Sequence, residues 1–273
     1  MRIFIYGIVL AALAMFSGCE AVLPQEEFSS EGLDMPEVVD SVIFSASLDS
    51  QTKANLVWSE DSQTLKTIWS SGDVIQIFDK NKFKWVTFEI IEGAGTTSAK
   101  FVGSIQKQDV YVAVYGSEPQ GNDSWVEFEI SQKQWNEYST CPMVAYSSST
   151  RLNFKNMCSV LCVSLTGNGE EVYRVGFRSR SDFAPCCIYI EFNNGEPDVS
   201  WLDIHHYHII YNFSCATLSS TPTDYYFVIP YGSYEDGFDL YVETNVGTMT
   251  KSTSEDIVFE RSQLRRVVLE FEL

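Results

Sequence analysis

Apolar and polar residues alternate along much of this chain with the period of two that a half-buried strand imposes. In Val42-Ile43-Phe44-Ser45-Ala46-Ser47-Leu48 the residues Val42, Phe44, Ala46 and Leu48 form the apolar side. Short runs rich in β-branched and aromatic residues recur at Val74 to Phe78, Phe83 to Ile91, Ala99 to Val102, Val110 to Tyr115 and Trp125 to Ile130. A second series follows at Arg151 to Phe154, Ser159 to Leu165, Val172 to Phe177, Ile188 to Phe192, Tyr207 to Phe213, Tyr225 to Ile229, Phe238 to Val242, Ile257 to Phe259 and Val267 to Phe271. Clusters of Gly, Asn, Asp and Ser separate these runs, as turns between strands require. No segment holds a 3.6-residue period between helix caps, so long helices are not expected. Parallel crossovers need helices, and the pattern therefore favours antiparallel sheets.

The runs fall into two groups, which predicts an all-β chain of two tandem antiparallel β-sandwich domains of Greek-key type, residues 38–147 and 148–273. The boundary is set at the polar stretch Tyr146-Ser147-Ser148-Ser149-Thr150. Ahead of them, residues 19–37 read as an acidic tether, with Glu20, Glu26, Glu27, Glu31 and Asp34 beside Pro24 and Pro36. Such a segment has little apolar surface to bury. Residues 1–18 read as an export leader: Arg2, an apolar stretch too short to span a bilayer, and small residues before Cys19. Ser17-Gly18-Cys19 resembles a lipobox, with Phe16 where Leu is usual, and makes Cys19 the expected lipidation site. The predicted location is the cell surface, as an outer-membrane lipoprotein.

Composition narrows the partners. A 45% hydrophobic share with 14% aromatic residues is ample for folded cores. The formal net charge of −19 argues against nucleic acid and anionic lipid surfaces, which need basic patches. Beyond Cys19 the cysteines are Cys141, Cys158, Cys162, Cys186, Cys187 and Cys215. Cys158 and Cys162 lie about 13 Å apart along one predicted strand, out of disulfide reach. Cys186 and Cys187 are expected on opposite sides of theirs, and all six read best as small apolar fillers.

Several runs carry a family likeness. Trp69-Ser70-Ser71-Gly72-Asp73-Val74-Ile75-Gln76-Ile77-Phe78, then Gly93-Ala94-Gly95-Thr96-Thr97-Ser98-Ala99-Lys100-Phe101-Val102-Gly103, resemble the N-terminal domain of fimbrillin-family lipoproteins of Bacteroides-type bacteria. Pro142-Met143-Val144-Ala145-Tyr146, Leu152-Asn153-Phe154-Lys155-Asn156-Met157-Cys158 and Val228-Ile229-Pro230-Tyr231-Gly232-Ser233-Tyr234 continue the series in order. The resemblance implies two transthyretin-like sandwiches, export as a lipoprotein, and a role as fimbrial shaft, anchor, accessory or tip subunit. Its partners would be other fimbrillin-type subunits or host or bacterial surface ligands. Polymerising relatives lose their leading strand to a cut after Arg, and a neighbour's strand fills the groove.

This chain departs from that pattern. Between Cys19 and Lys53 it has neither Lys nor Arg, so the first strand, with Val42, Phe44, Ala46 and Leu48 as candidate assembly residues, is expected to stay. The chain also closes on Phe271-Glu272-Leu273 directly after a predicted strand, with no obvious surplus for donation. An anchor, accessory or stand-alone adhesin is therefore favoured over a shaft subunit.

Residue supply argues against catalysis. The three histidines, His205, His206 and His208, share one predicted strand, and no nucleophile elbow accompanies them. His206 and His208 on one face would make half a metal site, with Asp203 near. The 37 carboxylates single out no glycosidase pair, and Asp123 and Asp236 lie in acidic loops without calcium-loop spacing. Gly93-Ala94-Gly95 precedes a strand rather than a helix, so it forms a hairpin loop and no phosphate cradle; no cofactor is expected. A glycan- or host-protein-binding module is the alternative. Trp85, Trp125, Trp135, Tyr138, Trp201 and Tyr207 could stack on sugar rings, with Trp125 and Trp135 flanking loops and ranking first.

Overall fold

In a computed structural model of the chain, the described residues are 41–48, 57–59, 64–66, 68–116, 118–136, 141–180, 186–200 and 209–272, and among them every regular element is a β-strand. The all-β expectation holds. Cys19, the leader, the tether, Tyr138, Trp201, Tyr207 and the three histidines lie outside the described residues.

Tyr111-Val112-Ala113-Val114-Tyr115 organises the molecule. All five residues are buried, which the apolar run requires of a strand covered on both faces. Tyr111, Ala113 and Tyr115 point into one core with Phe44, Trp69, Phe88, Phe101 and Phe154. Val112 and Val114 point the other way, into a second core with Val126, Phe128, Ile188, Ile190 and Val228. One strand thus joins two hydrophobic layers.

The first core fills a closed sheet of seven strands. In order round the barrel these are Ser41–Leu48, Arg151–Asn156, Met143–Ser147, Tyr111–Tyr115, Val74–Asp79, Lys84–Glu92 and Ser98–Ser104, the last pairing back to the first. Closure leaves no sheet edge. The stretch Tyr146-Ser147-Ser148-Ser149-Thr150 ends the barrel strand Met143–Ser147 and turns through Ser148 to Thr150 into its neighbour Arg151–Asn156, so the strand that follows it stays in this sheet.

A third core lies between two further sheets. Cys158–Thr166 sits between Thr223–Pro230 and Leu264–Glu270. It contributes Leu161, Val163 and Leu165 to a cluster with Val175, Phe177, Leu240 and Val242 from the sheet that contains Glu171–Ser179 and Phe238–Thr244. Burial of each such side chain contributes about 1.5–3 kcal/mol.

The sheets are not purely antiparallel, which corrects the sequence-based expectation. Ser41–Leu48 runs parallel to Arg151–Asn156, Leu264–Glu270 parallel to Cys158–Thr166, and Lys133–Gln134 parallel to Ile209–Asn212. Parallel neighbours need only a long crossover. Here whole groups of strands serve as that crossover, so no helix is required. Cys186 also differs from expectation: it occupies a turn, and the strand begins at Cys187.

Candidate functional site

The first strand is the candidate assembly element, and its alternation explains its place. Phe44, Ala46 and Leu48 are buried in the barrel core with Val42 packed against them, while Ser45 and Ser47 face out. Its antiparallel ladder with Ser98–Ser104 extends from Ser41↔Ser104 to Ser47↔Ser98. On the other side the parallel ladder begins only at Ser45↔Arg151 and ends at Leu48↔Phe154. Phe44 meets Phe88 and Tyr111 edge-on, with ring centroids 5.2 and 4.9 Å away. Outside the strand lies a groove of about 280 Å³ lined by Ser45, Ser47, Glu92, Lys100 and Arg151, in which Lys100 and Glu92 pair at 2.7 Å.

The Trp-x-x-Gly-Asp and Gly-Ala-Gly segments close one end of this barrel together. Trp69 accepts a backbone hydrogen bond from Gly95 at 2.7 Å and donates one to Thr96 at 2.8 Å. Its ring is fully buried among Phe101, Tyr115 and Phe154, with centroids 5.1 to 5.5 Å away, so it belongs to the core. Gly93 adopts φ of 95°, and a Cβ there would sit 2.1 Å from the Ser98 carbonyl oxygen. Only glycine fits this hairpin.

The sheet of Thr223–Pro230, Cys158–Thr166 and Leu264–Glu270 has two outer strands, each treated differently. Along Thr223–Pro230, side-chain amides stand in for a neighbouring strand. Gln134 donates to the Val228 carbonyl at 2.9 Å and accepts from the Val228 N–H at 2.8 Å. Asn136 does the same with the Asp224 carbonyl at 2.7 Å and the Tyr226 N–H at 3.0 Å. Asn212 completes the set, donating to Asn136 Oδ1 at 2.6 Å and the Tyr226 carbonyl at 2.8 Å. A polar Gln-x-Asn so close to Trp135 could have hinted at this; its register could not. On the opposite side, Leu264–Glu270 is the terminal strand, with Val268 65% exposed. It is clamped through Arg266, whose guanidinium donates to Asp224 at 2.8 and 3.0 Å and to Ser164 at 2.6 Å.

The surface aromatics separate. Trp85 packs on Phe78 at 5.3 Å and against the second core, and Trp125 stacks on Tyr189 at 5.3 Å. Trp135 is 43% exposed, beside Phe213 at 5.9 Å. Trp125 and Trp135 thus pack on different aromatic partners. Asp123 faces the Lys80 ammonium at 2.7 Å, and Asp236 occupies a turn with φ of 62°. Among the described residues no three His, Cys, Asp or Glu side chains stand in a metal-holding group.

No family model matches the chain, and no curated protein matches it in sequence. Among solved structures it is similar to a candidate cell adhesion protein of Bacteroides ovatus, over 86% of this chain and 93% of that one, at 10% identity and a TM-score of 0.56. It is matched also to a candidate cell adhesion protein of Bacteroides uniformis, over 74% and 88% at 11% identity and a TM-score of 0.47. A further match is the tip fimbrial protein Mfa3 of Porphyromonas gingivalis, over 83% and 93% at 10% identity and a TM-score of 0.37. The chain thus shares its fold with the Bacteroides ovatus protein, and the fimbrillin resemblance of its motifs agrees with that likeness.

Proposed function

We propose that this chain is a fimbrillin-like cell-surface lipoprotein, an anchor or accessory component of fimbriae, that works by β-strand-mediated assembly and adhesion rather than by catalysis. The observation that carries the proposal is the first strand. Ser41–Leu48 completes the barrel between Ser98–Ser104 and Arg151–Asn156 and drives Phe44, Ala46 and Leu48 into its core. A groove closed by one separable strand is what strand addition from a neighbouring subunit requires, with main-chain bonds for affinity and alternate side chains for specificity. The fold likeness to a Bacteroides cell adhesion protein supports an adhesive role at the surface.

In this reading a lipid on Cys19 holds the chain to the outer membrane. The lack of Lys and Arg between Cys19 and Lys53 supports a retained first strand, hence an anchor or accessory role over a shaft role. Sheared surface filaments, digested and mapped by mass spectrometry, test it. The chain should be present with residues 41–48 intact and an acylated Cys19, and its deletion should alter filament length or attachment. Filaments free of the chain and unchanged by its deletion would refute the assembly role.

A second reading, glycan or host-protein binding independent of filaments, is favoured by the exposure of Trp135. It requires Trp135→Ala to abolish ligand binding by the isolated chain.

A further inference from the structure

Cys141 and Cys158 face each other at the end of the hairpin formed by Met143–Ser147 and Arg151–Asn156. The register pairs Met143 with Asn156 and Val144 with Lys155, and one step outward the Met157 N–H donates to the Pro142 carbonyl at 2.9 Å. The next step sets Cys141 against Cys158. At that step Cys158 offers neither backbone group to Cys141: its N–H donates to Asn156 Oδ1 at 2.9 Å, and its carbonyl accepts from the Ser262 N–H at 2.8 Å. The cysteines therefore occupy a non-hydrogen-bonded antiparallel pair, where opposed Cα atoms approach to about 4.5 Å. A disulfide spans Cα atoms roughly 4.4–6.8 Å apart. Both side chains are free thiols fully buried in the second core, and burial first and the neighbouring Cys141 thiol next push the Cys158 thiol up.

We propose that Cys141 and Cys158 are a cross-strand disulfide pair, closed during folding by exchange with a small-molecule disulfide such as glutathione disulfide. One cysteine thiolate attacks the oxidant, forming a mixed disulfide and releasing one glutathione thiolate. The other attacks the protein-bound sulfur, forming the Cys141–Cys158 bond and releasing the second. The protein gives up two protons and two electrons, and the electrons reduce the oxidant to two thiols. Burial pushes the folded Cys158 thiol up, away from the reactive thiolate, so exchange belongs to the stage before this strand is covered.

The remaining described cysteines lack this opposition. Cys186 and Cys187 are chain neighbours, Cys162 contacts the Ser164 hydroxyl at 3.8 Å, and Cys215 is exposed with its thiol directed to the Tyr173 and Phe213 carbonyls. A Cys141–Cys158 bond would fasten the hairpin where the chain leaves the barrel for Cys158–Thr166. The proposal is independent of any role in filaments.

The test is refolding of the full chain, unfolded and fully reduced, in a buffer of reduced and oxidised glutathione. The folded fraction is isolated by size exclusion, its remaining thiols are alkylated, and its peptides are mapped by mass spectrometry. A peptide linked through Cys141 and Cys158 is expected. The melting temperature should lie about 5–10 °C above that of the same sample with dithiothreitol. In the Cys141→Ala/Cys158→Ala double variant the melting temperature should be indifferent to dithiothreitol. Alkylation of both residues in the folded wild-type fraction, or pairing of either with another cysteine or with glutathione, would overturn the proposal.

Discussion

The Tyr115 hydroxyl donates to Asp73 Oδ1 at 3.0 Å, while Asp73 Oδ2 accepts from the Ser70 N–H at 2.7 Å. One carboxylate thus holds the Trp69–Asp73 turn shut and fastens it to the central barrel strand. The Trp-x-x-Gly-Asp motif is a structural clamp. Tyr115→Phe removes one of the two bonds and should cost about 1 kcal/mol, whereas Asp73→Ala strands a turn N–H and a buried hydroxyl and should cost about 2–3 kcal/mol. Denaturant unfolding of the two variants checks the order.

The two faces of the first strand make opposite demands. Phe44→Ala opens a void beneath Phe88 and Tyr111 and should destabilise by about 3–5 kcal/mol. Ser45→Ala, on the outer face, should stay within about 0.5 kcal/mol of wild type. Equal losses in thermal unfolding would mean that the strand is not seated as described.

Gln134 is 3% exposed and satisfies both backbone groups of Val228. Gln134→Met keeps the volume and removes both bonds, so the N–H and carbonyl of Val228 lose these partners. A loss of about 2–4 kcal/mol is expected. Because the same amides cover a strand edge, the variant should also aggregate faster on heating, measured by light scattering.

Acid should loosen the last strand. Burial opposes the charge on Asp224, but hydrogen bonds from Ser164 and Arg266 outweigh it and hold the carboxyl below its ordinary value of 3.8. A carboxyl lowered by folding contributes stability above its unfolded pKa and loses that contribution as the pH falls through its lower folded value. Wild-type stability should therefore decline as the pH drops below about 4. Asp224→Asn should flatten part of that decline without abolishing it, since Asp239 is held low in the same sense: burial opposes its charge, and hydrogen bonds from Ser252 and Arg178 outweigh it. Equilibrium unfolding between pH 2 and 7 decides.

Local pattern was legible where burial enforces it. The alternation from Val42 to Leu48 and the unbroken apolar run ending at Tyr115 specify their strands because a strand offers two faces and no third. What depends on long-range register was not legible. Nothing local says that Ser41–Leu48 lies parallel to a strand more than a hundred residues on, that the sheet closes, or that Gln134 and Asn136 act as surrogate strand neighbours. Cys141 and Cys158 escaped for the same reason: their opposition comes from a hairpin centred on Ser147 to Thr150, a stretch whose polarity resembles that of a linker between domains. Trp125 and Trp135 looked alike in sequence, yet Tyr189 stacks on one while the other stands partly open, a difference set by pairing.

The central claim, that Ser41–Leu48 is a separable strand seated by its alternate side chains, is tested most directly by exchange. A protease site inserted after Ser50 lets the strand be cut free in the folded protein, which is then incubated with a labelled peptide of the sequence Ser41–Leu48. The labelled peptide should replace the resident strand and remain bound through gel filtration, and one carrying Phe44→Asp should not. Failure of the matching peptide to enter, or equal entry by both, would contradict the account.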